Sequence, residues 1–381
     1  MDFRPTDEQA LLRRTVREFA ETEIRPHVRE WDHDQHFPTE LMPQLASLGL
    51  LGITVPEQYG GAAMSAIDYC ICIEELARVD PAVALSVAAH NGLCSSHIFL
   101  FGTEAQKNKY LTPLARGERI GAWGLTESTS GSDAAGMRTT ATRAGACWAI
   151  NGSKTFTTHG RAGHIMVVMA VTDRSAGTKG ISAFIVEHGT KGMTPGKKED
   201  KLGMRASDTS EVLFDNCTIP ADQLLGAEGQ GFVNTMHVLD AGRIGIAALA
   251  VGLAQGAYEA ALHYAKDRRS FGRAIAGFQA IQWKLADAAT KIEAARLLTY
   301  RAAYLKEQGQ RTTLESSMAK LYASEIAVSV AADCVQIHGG YGFVKDYPAE
   351  KFFRDVKLTT IGEGTSEIQR LVIARQLLAR A

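Results

Sequence analysis

Near the C-terminus, the run Ile361-Gly362-Glu363-Gly364-Thr365-Ser366-Glu367-Ile368-Gln369 holds one carboxylate alone between two glycines. Flanking glycines bring no Cβ into contact, so the backbone there can come close to a flat ligand and Glu363 can point at a bound substrate. An exposed turn glutamate would look the same from this segment alone. A second run, Leu125-Thr126-Glu127-Ser128-Thr129-Ser130-Gly131-Ser132-Asp133, is dense in hydroxyls and backbone donors. It suits a polar ring edge or a thioester-linked pantetheine, and a plain surface turn is the competing reading. In Lys154-Thr155-Phe156-Thr157-Thr158, strand spacing puts Phe156 and Thr158 on one face. The ring could cover a flat cofactor while the hydroxyl bonds its edge.

Three further groupings lie downstream. Asp240 and Arg243 stand three apart on one helix face, the spacing of a solvated ion pair. Tyr264 to Gly272 followed by Gln279 reads as a helix end, a tight turn and a new helix, and its arginines could hold a pyrophosphate bidentately. Gln336-Ile337-His338-Gly339-Gly340 closes a helix with glycines, which also lets a backbone approach phosphate. His338 fits a capping or packing role better than a catalytic one. The sequence contains no G-x-G-x-x-G, P-loop, H-E-x-x-H or G-x-S-x-G. Hydride chemistry would therefore need a cofactor site of another kind than a Rossmann fold.

Composition narrows the class. The chain has 381 residues, 45% hydrophobic and 22% charged, with a formal net charge of −1. That is ordinary for a globular protein of two or three domains and gives no footprint for nucleic acid or a polybasic membrane patch. The longest uncharged run, Pro81 to Thr103, carries two His, three Ser and an Asn, too polar for a membrane span. Asp2, Asp7 and Glu8 stand where a signal peptide would be basic. The six cysteines show no ligand-like grouping, so no metal is expected, and Cys70-x-Cys72 reads as two faces of a buried element. A reducing compartment follows: a bacterial cytoplasm or, for a processed chain, the mitochondrial matrix.

The elements that must position these residues change character twice. Residues 1–118 read as a helical domain. Its first helix opens on a Thr6/Gln9 capping box and further patterns run over Thr39–Leu48, Ser65–Val79 and Ala82–Phe101. Residues 119–226 alternate short β runs with turns, predicting a small barrel or sandwich, and Asn151-Gly152 reads as a hairpin turn. Residues 227–381 return to helix over about Phe232–Lys266, Phe278–Gln308 and Leu314–Gln336, lengths typical of a bundle. Lys357–Ile361 reads as extended, leading to a last helix with Ser366 as N-cap and Gln369 completing the capping box. The fold class is thus α+β and multidomain: N-terminal helical, middle β, C-terminal four-helix bundle.

Taken together and in this order, these pieces resemble the acyl-CoA dehydrogenase family, most closely its short-chain, butyryl-CoA type. The resemblance covers essentially the whole chain. It is carried by Gly196–Gly203, Leu239–Ile246, Ala319-Lys320-Leu321 and Ile361–Arg375 as well as the motifs above. It implies a homotetramer of paired dimers with FAD near the dimer contact, an acyl-CoA substrate in fatty-acid β-oxidation, and an electron-transfer flavoprotein as acceptor. By position, the resemblance makes Glu363 the base that takes the α-proton. Trp123, Leu125, Thr126, Gly131 and Ser132 would hold the flavin, with Ser132 also near substrate and Phe156 and Thr158 beside the ring. Asp240, Arg243 and Gly364 match substrate-side positions. Arg268, Phe271, Gln279, Gln336, Gly339 and Gly340 match residues reaching the FAD of a neighbouring subunit, and Thr365, Ser366 and Glu367 a further FAD contact.

Three departures from the family pattern stand out: Ser128 for a common proline, Phe156 for a common tryptophan, and Gly362 for a frequent tyrosine. The last predicts a wider acyl pocket beside Glu363, so a branched- or medium-chain substrate is the alternative to a short straight one. Relatives that place the base beside the Arg of D-x-x-R have here Gly242 instead. No arginine lies between Arg78 and Arg116 to receive a distal carboxylate, which argues against a dicarboxylyl substrate. Flavin monooxygenases and oxidases share the fold, and a non-catalytic acyl-CoA-binding role is a third class. Glu363 and the Ser132 run favour the dehydrogenase.

Overall fold

A computed structural model describes residues 4–379, leaving Asp2 outside. The helices that matter below are α1 (Asp7–Phe19), α2 (Ala66–Val79), α3 (Pro81–Ala89), α4 (Gly231–Asp267), α5 (Gln279–Glu307), α6 (Thr313–His338), α7 (Ala349–Asp355) and α8 (Ser366–Leu378). The Thr6/Gln9 capping box starts α1, and Ser65 with Asp68 makes another at α2. After α3 the chain widens into a π-helical turn, His90–Ser95, before the short helix Ser96–Phe101.

Helices from both ends of the sequence share one core. Val16, Leu76, Ala77 and Val83 pack in the same cluster as Leu253, Ala257, Ala295, Ala323 and Phe352. Small residues on α4 let the backbones meet: a Cβ on Gly252 would collide with Glu74 O, and one on Gly256 with Arg78 O. Charges seal this contact. The Glu74 and Glu75 carboxylates are buried against Arg13, Arg17, Arg78 and Arg296, and Lys351 of α7 bonds Asp80 (2.9 Å) and Asp355 (2.6 Å). By length and mean hydropathy alone Pro81–Phe101, expected from its polar residues to be no span, and α4 would both pass as membrane-crossing, but most of each is buried inside the protein, which makes them core helices.

Between the helical parts, strands β1 (Gly121–Gly124), β2 (Thr140–Ala144), β3 (Cys147–Thr158), β4 (Ile165–Val171), β5 (Ile181–Glu187), β6 (Met193–Lys198), β7 (Thr209–Pro220) and β8 (Leu224–Leu225) form one mixed sheet. Its order is β6-β7-β3-β2-β4-β5-β8, with β1 parallel to β4. The barrel alternative is corrected: among the described residues β6 and β8 do not pair, so the sheet stays open. Only Thr140↔Val171 joins its two halves, which fold face to face. Met166, Val168 and Ala170 of β4 meet Trp148, Ile150, Val212 and Phe214 from the other half, while Ile165, Val167 and Met169 face Tyr110, Leu111 and Leu114 of the helical region. Buried on both sides, β4 is apolar at every position, as such strands must be.

Asn151-Gly152 is also corrected. It lies inside β3 at a bulge, where Gly152 takes φ +138°, and a Cβ there would strike Thr139. The hairpin turn is Gly145-Ala146 instead, between Ala144 and its partner Cys147, with Gly145 at φ +62°. Both are glycine positions with positive φ. The cross-strand partner, which the local sequence does not contain, decides which is bulge and which is turn.

Candidate active site

The Glu363 turn is tighter than its sequence suggests. Val356–Thr360 is a 3₁₀ turn, not an extended run, and Leu358 O accepts from both Ile361 N and Gly362 N. Glu363 sits at φ +53° and Gly364 at φ +96°. For a residue with a Cβ, that left-handed backbone costs about 1–2 kcal/mol, so tertiary contacts must hold it. Three do. Gln369 Nε2 donates to Glu363 O (3.2 Å) and Gly364 O (2.9 Å), and Lys320 Nζ of α6 donates to Gly364 O (2.8 Å). The N-cap of α8 is Thr365, whose Oγ1 accepts from Ile368 N, and not Ser366, which is already helical. Gln369 thus serves the turn's carbonyls instead of an N-cap amide.

The Glu363 carboxylate points at α4. Its Oε2 is enclosed and has no hydrogen-bond partner among the described residues. A Cβ at Gly242 would overlap Oε2, so α4 accepts the carboxylate only because that residue is glycine. Burial raises the Glu363 pKa to about 7, against the pull of the Lys320 and Arg243 charges. Arg243 is itself buried, its Nη1 on Asp240 Oδ1 at 2.6 Å, and Asp240 Oδ2 accepts from Thr313 Oγ1. The expected solvated pair is therefore an enclosed one, and both Asp240 oxygens are occupied by protein. Tyr69 of α2 reaches the same place. Its hydroxyl is buried without a partner, 2.5 Å from where a Cβ on Gly245 would lie and 3.3 Å from one on Gly92. Tyr69, Gly92, Ala241, Ile244 and Lys306 line a small cavity there.

The π turn His90–Ser95 connects this cavity to the sheet. Its Gly92 packs near Gly242 and its Cys94 against Gly121 of β1. Beside it, Trp123 Nε1 donates to His97 Nδ1 at 3.1 Å. Burial lowers the His97 pKa to about 3, so the ring is neutral and able to accept. The Leu125–Ser132 run leaves β1 and is stitched to β3. Lys154, fully buried, bonds Leu125 O (3.1 Å) and Glu127 Oε1 (2.7 Å), and Glu127 also accepts from Arg138 N and Thr139 N. Thr155 N donates to Thr126 O. Trp123, Leu125 and Thr126 are half-buried, while Gly131 and Ser132 are exposed.

On β3 a second bulge, between Lys154 and Thr157, puts Phe156 at φ +53° with 65% of its surface exposed. Thr158 is partly exposed two residues on. A large ring held in a strained conformation and left uncovered, beside an edge of hydroxyls and backbone donors, fits a flat heterocycle with polar edges such as a flavin.

Arg268, Gly339 and Gly340 gather elsewhere, in a surface pocket of about 560 Å³ shared with Tyr264 and Tyr341. Phe271, 93% exposed, tips the adjoining hairpin of Arg269–Ser270 and Arg273–Ala274, and Gln279 and Gln336 are exposed on α5 and α6 nearby in sequence. No residue of the Glu363 turn or the Leu125–Ser132 run lines this pocket. His338 stacks on Tyr264 (4.3 Å) and bonds Cys334 O, a packing role. Among the described residues no His, Cys, Asp and Glu cluster could hold a metal. Sequence reasoning missed Tyr69 and the placement of Lys320 and Gly242 beside the Glu363 turn. A lysine in a helix of buried alanines and serines was the available signal for Lys320.

Comparison with known proteins matches this architecture along its length. The acyl-CoA dehydrogenase N-terminal, middle and C-terminal domain families match residues 6–118, 122–217 and 229–378. The short-chain specific acyl-CoA dehydrogenase of Clostridium acetobutylicum is 48% identical over 377 residues, 99% of this chain and 100% of that protein. The butyryl-CoA dehydrogenase structure from Megasphaera elsdenii superposes with a TM-score of 0.97 at 45% identity, covering 99% of this chain and 100% of that one. A chain in a structure of the electron transferring flavoprotein of Acidaminococcus fermentans gives 0.98 at 46%, with the same coverage. Continuous identity at this level, over all three parts and on the same fold, means that the chain belongs to the acyl-CoA dehydrogenase family.

Proposed function

We propose that this chain is a FAD-dependent dehydrogenase that converts a short-chain acyl-CoA to its trans-2-enoyl-CoA and passes the electrons to an electron-transfer flavoprotein. The observation that carries the reading is the Glu363 carboxylate: enclosed, without a hydrogen-bond partner among the described residues, and with a pKa near 7. A base is most effective when its pKa lies close to the working pH. Glu363 takes the α-proton of the bound thioester. Its own backbone N–H makes no hydrogen bond to another described residue and is free to donate to the thioester oxygen as negative charge builds there. A donor so placed is worth roughly 3 kcal/mol in the transition state. Gly364 completes the approach to the thioester, and Asp240 acts through Arg243, whose orientation it fixes.

Bound FAD supplies the acceptor for the hydride that leaves the β-carbon. Trp123, Leu125, Thr126, Gly131 and Ser132 would hold its ring edge, Phe156 and Thr158 its face and rim, and Thr365, Ser366 and Glu367 a further portion. Arg268, Phe271, Gln279, Gln336, Gly339 and Gly340 would reach the FAD of a neighbouring subunit. The separation of Arg268, Gly339 and Gly340 from the Glu363 turn supports this division, since within one chain these three line a different pocket. A homotetramer is the assembly that membership of this family implies, and Trp283 (64%), Phe343 (87%) and Leu378 (78%) are large apolar side chains left exposed and available to such contacts.

The test is anaerobic titration of the FAD-loaded protein with butyryl-, hexanoyl- and octanoyl-CoA, followed by addition of an electron-transfer flavoprotein. Bleaching should be fastest with butyryl- or hexanoyl-CoA and should reverse when the acceptor is added. A flavin that no acyl-CoA bleaches would refute the dehydrogenase reading. Oxygen consumption without an added acceptor would point to an oxidase.

A further inference from the structure

Lys320 lies in the third turn of α6 with none of its surface exposed, among Ser316, Ser317, Ala319, Ala323 and Ser324. An ammonium buried there loses its water shell, a cost that buried lysines recover only through close partners. Its one direct partner among the described residues is Gly364 O, at 2.8 Å. That carbonyl is already satisfied by Gln369 Nε2 at 2.9 Å. Hydrogen bonding alone therefore does not account for a lysine at this position. What lysine adds is charge.

The charged groups around that ammonium narrow what the charge is for. From α4 come Arg243 and Asp240, which bond each other. From α6 comes Glu325, paired with Arg370 at 3.2 Å. From α8 comes Glu367, which is exposed. From the turn comes Glu363. Glu363 is the anion in this set with no hydrogen-bonded partner for its Oε2. The interaction runs both ways. Burial lowers the Lys320 pKa to about 8, and the Glu363 charge is the leading influence opposing that fall.

We propose that Lys320 is a positioning residue for the base: bound to the Gly364 carbonyl, it fixes the Glu363 turn and holds a positive charge behind the carboxylate without bonding to it. The offset matters chemically. A direct lysine–carboxylate bond would occupy the lone pairs that must receive the α-proton. A charge held one residue away favours the anion and leaves both oxygens free. Arg243, tied to Asp240, is a second cation placed off the carboxylate in the same way. The proposal rests on Glu363 being the base.

The experiment compares Lys320→Gln, Lys320→Arg and Lys320→Met as FAD-loaded enzymes, with flavin reduction by butyryl-CoA followed in a stopped-flow instrument from pH 5.5 to 9. Glutamine keeps an N–H donor directed at Gly364 O, one bond shorter in reach, and carries no charge; arginine keeps the charge. Removing the charge raises the Glu363 pKa, so the acid limb of the Gln and Met variants should move up by about one pH unit. That is about tenfold slower reduction at pH 6, with much of the rate recovered by pH 9. Arginine should restore the wild-type midpoint. A Gln profile that superimposes on wild type, or one lowered equally at every pH, overturns the proposal. If Lys320→Met does not hold FAD, the Gln and Arg pair still decides. Glu363→Gln run alongside separates the two readings: if it remains active, the base assignment fails, whereas if it is inactive and Lys320→Gln is unshifted, only the role of Lys320 fails.

Discussion

Replacing Glu363 with glutamine should change stability and catalysis in opposite directions. In the folded enzyme burial lifts the Glu363 pKa to about 7, from an ordinary 4.5. The difference corresponds to about 3 kcal/mol of preference for the protonated form. The proton is therefore held more tightly by the folded protein than by the unfolded chain. The stability linked to it is complete below pH 4.5 and is lost as pH rises through 7. Glutamine has the shape of the protonated acid and does not titrate. Glu363→Gln should accordingly come within about 1 kcal/mol of the wild type near pH 5 and exceed it by up to about 3 kcal/mol at pH 8.5, while reducing its flavin about a hundredfold to ten-thousandfold more slowly, as expected when a general base is lost. Unfolding midpoints of both FAD-loaded proteins, measured between pH 5 and 8.5, give the stability difference with every other titrating group common to both. Stopped-flow reduction by butyryl-CoA gives the rate. A stability difference that is flat with pH would refute the buried, raised carboxylate. Reduction within tenfold of wild type would refute the base.

Gly242→Ala should retain FAD but lose at least about a hundredfold in flavin reduction, because its Cβ takes the space of Glu363 Oε2 and small displacements of a reacting group cost that much; an unimpaired rate would show that the carboxylate works from elsewhere. Arg268→Ala should lower FAD occupancy and loosen the assembly together, read by the 450 nm absorbance and by gel filtration; full occupancy in an unchanged tetramer would count against a pyrophosphate contact across subunits. A Cβ at Gly362 would meet nothing nearer than Leu358 O at 3.5 Å, so the position has room. Gly362→Tyr should cut kcat/KM for 2-methylbutyryl-CoA by roughly tenfold or more relative to butyryl-CoA, the scale of an overpacked pocket; an unchanged ratio would remove the link between this glycine and branched substrates.

Local signals carried far in this sequence where the chain itself supplies the partner. The Thr6/Gln9 box and the three long helices needed only their own periodicity and end residues. Where the partner is remote, local reading slipped by a residue or by a whole category. Ser366 looked like an N-cap, but Gln369 is drawn back to the Glu363 and Gly364 carbonyls and the cap moves to Thr365. Asn151-Gly152 has the composition of a turn, yet the long pairing of β3 with β7 draws it into a strand. Asp240 and Arg243 have surface spacing but are covered by other elements, and Thr313 from α6 supplies the missing donor. Tyr69, Gly242 and Lys320 come from α2, α4 and α6. Their convergence on one carboxylate is a property of the packed helices, and no window of the sequence contains it.

The core shared by the two ends of the chain also bears on how the protein is made. Val16, Leu76 and Val83 are covered by residues such as Leu253, Ala295 and Phe352, which leave the ribosome some two hundred residues later. At about 5–20 residues per second, that is an interval of roughly ten seconds or more during which the apolar faces that α4, α5 and α7 will cover have only one another to pack against. The intervening β part has its own interior, built from Trp148, Phe184 and their neighbours, and can close in the meantime. Nascent chains should therefore depend on chaperone capture, and truncation anywhere before α7 should yield insoluble protein instead of a smaller folded domain.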